Sequence, residues 1–155
     1  KYFALKIPQV LLSEFLMEKS YFKIKMHAMV SNHFKIICKI NGVKGVFILD
    51  TGASTTFLDL ERKDHFKLHS SPSIIKASGA GPDQIDTFIS KNNTIKIGGW
   101  IKKRFPIALI DLSYINSAFN AVDSAPVDGI IGADILKKGR AVIDYEKKYI
   151  YLKHS

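Results

Sequence analysis

One short stretch decides the fold of this chain: Val46-Phe47-Ile48-Leu49-Asp50-Thr51-Gly52-Ala53-Ser54. It begins with four consecutive large apolar residues bounded by Gly45 and Asp50, a pattern typical of a buried core strand. The carboxylate of Asp50 follows where the strand is still expected to be interior, and an ionised group there is costly unless fixed donors surround it. The hydroxyl of Thr51 and the amides beside Gly52 can supply such donors.

The tripeptide Asp50-Thr51-Gly52 is a weak signal by itself, because an ordinary turn after a strand has the same sequence. A second stretch favours a functional interpretation: Val127-Asp128-Gly129-Ile130-Ile131-Gly132-Ala133-Asp134-Ile135-Leu136. It predicts a buried strand that ends at Gly132 and leads directly into a short helix. The two motifs, in this order and with strand-rich sequence between them, form a specific combination.

With both motifs present, the chain resembles the aspartic proteases, and in particular their bacterial retropepsin-like branch. Residues 48–54 match the active-site motif of that family at every position, and Ile130-Ile131-Gly132 matches its glycine-bearing strand. The resemblance covers roughly residues 34–152. It implies a mostly β protein whose closed or partly open β-barrel, the acid-protease fold, carries a few short helices.

The resemblance implies an aspartic endopeptidase in which Asp50 is catalytic. The chemistry of the family needs two carboxylates that share one proton, and such a dyad titrates as a unit. The sequence holds a single Asp-Thr-Gly, and neither Asp128 nor Asp134 is followed by Thr/Ser-Gly. Asp128 is better explained as a turn residue, and Asp134 as a charge near a helix amino terminus. We therefore expect the second carboxylate to be Asp50 of a partner chain, in a symmetric homodimer.

The resemblance also assigns roles to the residues that support Asp50. Thr51 is expected to hydrogen-bond across the dimer, Gly52 to give its amide to the carboxylate, and Ser54 to brace Asp50 from outside. Gly132 is expected to let its strand approach the catalytic loop closely. The full supporting set is Thr51, Gly52, Ala53, Ser54, Ile130, Ile131 and Gly132.

A long hairpin is predicted over residues 73–90, with a tip of small residues at 78–82. In the resembling family this position holds the flap that covers the substrate, so Ser78, Gly79, Ala80 and Gly81 are the candidate flap residues. The tip departs from the glycine-rich retroviral consensus. It is not a dinucleotide-binding fingerprint either, because Gln84 stands at the third glycine position.

Length and composition indicate one sizeable core rather than two domains, since the chain has 155 residues of which 46% are hydrophobic. We expect residues 1–20 to be an amino-terminal segment with a short amphipathic helix over 9–19 that packs on the domain, and residues 21–155 to be the protease-like domain. A helix on a membrane surface is less favoured, because its polar face is poor in Lys and Arg. No apolar run approaches the length of a membrane span.

The hydrophobic pattern of the rest of the sequence predicts the other strands and helices. Alternation predicts strands over 21–28 and 34–40, and Asn41-Gly42 predicts a hairpin turn into the strand that ends at Asp50. Further strands are expected over 55–58, 94–97, 105–110, 129–132, 140–145 and 149–152, and further helical turns over 59–66, 111–122 and 133–138.

Several other classes of function are disfavoured. Lys and Arg outnumber Asp and Glu by 23 to 14, a net charge of +9, but the lysines are scattered singly and suit solvated faces. Cys38 is the single cysteine, so an intrachain disulfide and a four-cysteine zinc site are excluded. His65 and His69 have no third ligand nearby in sequence, and no metal or cofactor is expected.

Two alternatives and the compartment stay open. A catalytically silent module of the same fold, used for binding or dimerisation, is the nearest rival, although the intact Asp50 motif argues against decay. A basic β domain that binds nucleic acid ranks last. Because the sequence begins at Lys1 rather than Met, we expect a trimmed chain in which a removed leader or anchor leaves no trace, and the sequence does not distinguish cytoplasm from periplasm.

Overall fold

The computed structural model describes residues 11–74, 77–78 and 84–154, which form thirteen strands and three α-helices. The strands are β1 Tyr21–Lys25, β2 His27–Ala28, β3 Phe34–Ile40, β4 Val43–Leu49, β5 Phe57–Asp59, β6 Ser70–Pro72, β7 Ala77–Ser78, β8 Gln84–Ile85, β9 Phe88–Ile97, β10 Trp100–Ile110, β11 Gly129–Ile131, β12 Val142–Asp144 and β13 Tyr149–Lys153. The helices are α1 Leu12–Glu18, α2 Ser113–Asn120 and α3 Ala133–Lys138, and a short 3-10 helix, Leu60–Arg62, follows β5.

Six of these strands close into a barrel in the order β3-β4-β11-β5-β10-β9. The ring closes where β9 returns to β3, with Lys39 opposite Lys96 and Ile40 opposite Ile95. β4 lies antiparallel to β3 on one side and parallel to β11 on the other. The predicted mostly β fold with a barrel and a few short helices is therefore confirmed, and the barrel is closed.

The barrel interior is filled by every second residue of its strands, as the alternating sequence predicts. Its fully or almost fully buried side chains include Ile36, Cys38, Ile40, Phe47, Leu58, Ile95, Ile97, Ile107, Leu109 and Ile131. Each large aliphatic side chain buried in this way stabilises the fold by about 1.5–3 kcal/mol. Burial also raises the pKa of the Cys38 thiol well above its ordinary value, so this cysteine behaves as a small apolar core residue.

The hairpin turn at Asn41-Gly42 fixes the register of the strand that leads to Asp50. Both residues have positive φ, 50° and 83°, which is the conformation of a two-residue hairpin turn that suits the twist of the strands. The side chain of Asn41 makes two further bonds. Its Nδ2 donates to the carbonyl oxygen of Phe66 at 3.0 Å, and its Oδ1 accepts from the backbone amide of Thr94 at 2.9 Å. These contacts hold the start of β4 against two other parts of the barrel.

The amino-terminal region differs from its prediction. The strand expected over 21–28 is divided, because β1 pairs with β13 in a separate sheet of order β1-β13-β12, whereas β2 pairs with β3 beside the barrel. The alternation consequently ends at Met26, and Met29 is buried instead of Ala28.

Helix α1 covers part of this separate sheet, since Ser13 hydrogen-bonds to the phenol of Tyr151, which is 1% exposed. Of the apolar residues of α1, Leu16 is buried, whereas Leu12 and Phe15 stay 45% and 48% exposed. The predicted packing is thus limited to one edge of the helix, and residues 1–10 lie outside the described part of the chain. None of the described helices has the length and hydrophobicity to cross a bilayer.

Candidate active site

Strand β4 carries Asp50 to the rim of the barrel, and its neighbour β11 fixes the residue there. Ile130 lies opposite Ile48 and Ile131 opposite Leu49 in the parallel pairing. The pairing continues beyond the end of the strand, because the backbone amide of Asp50 donates to the carbonyl oxygen of Ile131 at 3.0 Å. The position of Asp50 is therefore set by a strand more than 80 residues further along the chain.

The loop after Asp50 folds back on its own carboxylate. The Gly52 amide donates to Asp50 Oδ1 at 2.8 Å, and the Ala53 amide donates to the Asp50 carbonyl oxygen at 3.3 Å. A Cβ atom at position 52 would lie 3.2 Å from Asp50 Oδ1. The absence of a side chain at Gly52 therefore leaves its amide free to approach the carboxylate and donate to it.

The carboxylate is not interior, in contrast to the expectation from the strand pattern. Asp50, Thr51, Gly52 and Ser54 are all exposed, because the loop projects past the last paired residue of β4. Neither Thr51 nor Ser54 donates a side-chain hydrogen bond to Asp50 in the described part of the structure, so the expected brace from Ser54 is not present in this single chain. Among the described residues, the Gly52 amide is the one donor to the Asp50 carboxylate, in place of the expected shell of fixed donors.

Gly132 lets the strand β11 and the Asp50 loop come into backbone contact. A Cβ atom at this position would lie 2.6 Å from the carbonyl oxygen of Thr55 and 2.9 Å from that of Ala53, closer than real Cβ atoms approach. Immediately afterwards, the Ala133 amide donates to the Ala53 carbonyl oxygen at 2.7 Å. Any side chain at position 132 would push the loop away from its support.

Thr56 and Asp134 form the hydrogen-bonded support beneath the loop. Asp134 Oδ2 accepts from the Thr56 amide at 3.0 Å, and Asp134 Oδ1 accepts from the Thr56 hydroxyl at 2.6 Å. The hydroxyl oxygen of Thr56 in turn accepts from the Gly132 amide at 3.0 Å. Since Thr56 is 1% exposed, these are buried or partly buried bonds, whose loss would leave polar groups without partners.

Sequence reasoning missed this pair. It placed Asp134 near the amino end of a helix, where the residue does lie, in the first turn of α3. Its contact with Thr56 joins residues 78 positions apart, and no local pattern announces such a distant partner. The one available signal is that Thr56 is a hydroxyl residue set between the loop and a buried strand.

Asp128, the other carboxylate near the glycine-bearing strand, also has fixed partners. Asp128 Oδ2 accepts from the Val46 amide at 2.9 Å, and Oδ1 pairs with Arg62 Nε at 3.1 Å. These contacts tie the entry of β11 to β4 and to the 3-10 helix. Within the described residues, therefore, no second carboxylate contacts Asp50.

A short two-stranded hairpin lies in the segment where the flap is predicted. β7 pairs antiparallel with β8, with Ala77 opposite Ile85 and Ser78 opposite Gln84. Of the candidate flap residues, Ser78 belongs to β7, and Gly79, Ala80 and Gly81 lie outside the described residues. Ile85 packs in an apolar cluster that also contains Ala53, Phe57, Ile110, Leu112, Ile115 and Ile130. The hairpin base therefore stands on the same side of the barrel as the Asp50 loop.

No group of three or more His, Cys, Asp or Glu side chains that could hold a metal ion occurs among the residues described.

The Thr56–Asp134 support predicts the effect of a single substitution. Thr56→Val keeps the side-chain volume but removes the hydroxyl, which leaves Asp134 and the Gly132 amide each without one partner. We expect the free energy of unfolding, measured by urea denaturation, to fall by about 1–3 kcal/mol. Thr55→Val, one position earlier and only partly buried, is the matched control and should change it much less. Equal effects of the two substitutions would contradict the assigned support.

Comparison with protein families matches residues 36–135, from β3 to α3, to the aspartyl protease family. The match spans more than half of the chain and includes both the Asp50 loop and Gly132. No curated protein sequence matches the chain.

Solved structures with the same fold include three proteases or protease-like domains. The EIAV protease complexed with the inhibitor HBY-793 has a TM-score of 0.51 and 25% identity, and the alignment covers 70% of this chain and 88% of that one. A retropepsin-like aspartic protease from Rickettsia conorii has a TM-score of 0.52 and 19% identity, and the alignment covers 86% of this chain and 89% of that one. The retroviral protease-like domain of Ddi1 from Leishmania major has a TM-score of 0.54 and 16% identity, and the alignment covers 83% of this chain and 91% of that one.

The family match, the closed barrel and the Asp-Thr-Gly loop beside a glycine-bearing strand thus agree, and the chain belongs to the aspartyl protease family with a retropepsin-like fold.

Proposed function

We propose that this chain is an aspartic endopeptidase whose catalytic dyad consists of Asp50 from each of two subunits. The observation that carries the proposal is the Asp50 loop itself, which is held rigidly from below by Gly132 and Thr56 yet leaves its carboxylate exposed. An aspartate fixed at a barrel rim and open to solvent is suited to meet a second carboxylate and a substrate. The solved structures with this fold include a protease with a bound inhibitor.

The proposed reaction follows from the chemistry of two adjacent carboxylates. When two such groups lie within hydrogen-bond distance, they cannot both be ionised, and they share one proton. The ionised Asp50 takes a proton from a water molecule whose oxygen attacks the carbonyl carbon of the peptide bond. The protonated Asp50 donates its proton to the carbonyl oxygen, which gives a tetrahedral diol. When the bond from carbon to nitrogen breaks, the nitrogen receives the proton taken from water and one hydroxyl of the diol returns its proton to the other Asp50, so the products are a carboxyl group and an amine and the dyad again holds one proton.

A symmetric dimer supplies the second carboxylate. In a dimer with a two-fold axis, a residue on the axis meets the same residue of the partner, so two exposed Asp50 loops can face one another. Asp128 and Asp134 are each engaged in bonds to other parts of the fold, and no other carboxylate of the described residues contacts Asp50. The exposed hydroxyl of Thr51 has no partner among the described residues, and we propose that it bonds across the dimer.

The apolar cluster beside the loop supports a polypeptide substrate. Ile110, Leu112 and Ile130 form its buried part, and Ala53, Phe57 and Ile85 lie partly exposed around them. An extended peptide lying against this surface would place apolar side chains there and its backbone over Asp50. We propose that the hairpin containing Ser78, Gly79, Ala80 and Gly81 covers it, that residues 21–155 are the enzyme domain, and that residues 1–20 are an added segment.

The substitution Asp50→Asn tests the proposed chemistry. Asparagine keeps the loop contact with the Gly52 amide but cannot exchange the proton, so we expect cleavage of a diverse peptide library to fall to background at every pH from acid to neutral. The control is Asp64→Asn, which changes the charge equally at an exposed position without a described side-chain contact. Retained hydrolysis in Asp50→Asn would place the chemistry elsewhere. Absence of cleavage by the unaltered chain as well would favour a silent module of the same fold.

Sedimentation velocity tests the proposed assembly. We expect a dimer at micromolar concentration, and on dilution the activity per subunit should fall over the same concentration range as the dimer. The Asp50→Asn variant should sediment like the unaltered chain, because the substitution removes a proton donor and not an apolar contact. An active protein that remains a monomer throughout would contradict the two-subunit dyad.

A further inference from the structure

A groove lined by four lysines lies on the barrel wall, at the junction of the barrel with the three-stranded sheet. It has a volume of about 370 Å³, and its basic side chains are those of Lys23, Lys25, Lys39 and Lys96, which we call the lysine groove. His27 also lines it. The remaining lining residues, Ile24, Ile37, Cys38 and Gly98, are apolar.

Strand register brings the lysines together although they are far apart in sequence. Lys39 of β3 lies directly opposite Lys44 of β4 in the hairpin and directly opposite Lys96 of β9 at the barrel closure. All three side chains are exposed. Neighbouring strands are about 4.8 Å apart, and like charges that face each other across strands at this distance destabilise a sheet.

The structure does not neutralise this charge. No carboxylate of the described residues forms an ion pair with Lys23, Lys25, Lys39, Lys44 or Lys96, whereas Arg62 pairs with Asp128 and Lys147 with Glu146 elsewhere on the surface. Lys23 stacks instead over the ring of Tyr149, with its Nζ 4.2 Å from the ring centroid. Cations gathered in a concave surface concentrate the local field, so the groove attracts anions more strongly than scattered surface lysines would.

The lysine groove is separate from the Asp50 site. Lys39, which lines the groove, lies directly opposite Lys44, the second residue of β4, and Asp50 follows the last residue of that strand. The intervening length is about 20 Å at ~3.4 Å per strand residue. The groove therefore takes no part in the proposed proton transfer, and a ligand in it leaves the Asp50 loop accessible.

We propose that the lysine groove is a docking site for an acidic segment of a polypeptide. Charge complementarity identifies the ligand as an anion. The position of β1 favours a polypeptide, because one edge of β1 pairs with no other described strand and an extended chain can add its backbone to such an edge. Acidic side chains would meet the four ammonium groups, and small or apolar ones would meet Ile24 and Ile37. Nucleic acid fits less well, since the described lining residues include no Phe, Tyr or Trp platform for bases, only the smaller ring of His27, and no arginine for phosphates.

In a substrate of the proposed enzyme, such a segment would act as an anchor remote from the cleaved bond. An extended chain covers at most about 3.6 Å per residue, so at least about six residues would separate the anchor from the bond at Asp50. The role of the docked segment as a substrate anchor rests on the proposed function. The docking itself does not, because it requires no hydrolysis.

The docking site is tested by the binding of a fluorescein-labelled decaglutamate peptide to the full chain, followed by fluorescence anisotropy. The double variant Lys39→Gln/Lys96→Gln removes two groove charges, and we expect it to weaken binding by about tenfold. The control Lys137→Gln/Lys138→Gln removes the same charge from exposed positions at the end of α3 and should change binding less than twofold. Thermal unfolding by circular dichroism identifies a variant that fails to fold, in which case Lys23→Gln/Lys25→Gln replaces it.

Equal weakening by the groove and control variants would overturn the proposal, because net charge alone would then explain the binding. Tighter binding of a twenty-nucleotide poly-dT strand than of the peptide, lost in the same groove variant, would overturn it in favour of nucleic acid. The Asp50→Asn variant should bind the peptide as the unaltered chain does. The binding experiment therefore tests the docking site independently of whether the chain hydrolyses peptides.

Discussion

The close backbone contact between Gly132 and the Asp50 loop is the constraint on which the site depends. It joins two halves of the chain, since the loop follows β4 and Gly132 follows β11. The absence of a Cβ atom allows the approach, and the hydrogen bonds among Gly132, Thr56 and Asp134 maintain it. Because β4 and β11 also pair in parallel inside the barrel, the loop is positioned by two hydrogen-bonded barrel strands rather than by a loop alone.

This support has a functional consequence, because it holds a carboxylate rigidly without burying it. If donors of its own chain surrounded the carboxylate, they would occupy its oxygen atoms, and a second acid could not approach it. The Asp50 carboxylate instead receives one described hydrogen bond, from the Gly52 amide, and Asp50 is exposed together with Thr51. A single chain therefore presents one half of a two-acid site, and symmetry can provide the other half without a second Asp-Thr-Gly in the sequence.

The sequence predicted the parts of the fold that depend on local pattern. Alternation and Asn41-Gly42 define the β3–β4 hairpin, and the apolar run before Gly132 defines β11. It did not predict the Thr56–Asp134 support or the exposure of Asp50, because both depend on which distant strand lies alongside. The lysines illustrate the same limit: they are single and scattered in sequence, but the pairing of β3 with β4 and β9 places three of them in one row.

Mixing subunits shows whether Asp50 forms half of a shared site. The unaltered chain is equilibrated with a fourfold excess of Asp50→Asn protein, and peptide hydrolysis is measured per unaltered subunit. If subunits pair at random and both aspartates are required, the activity should fall to about one fifth. The same excess of an unrelated protein should leave it unchanged. Full activity in the presence of the Asp50→Asn subunits would show that one chain suffices and would contradict the account.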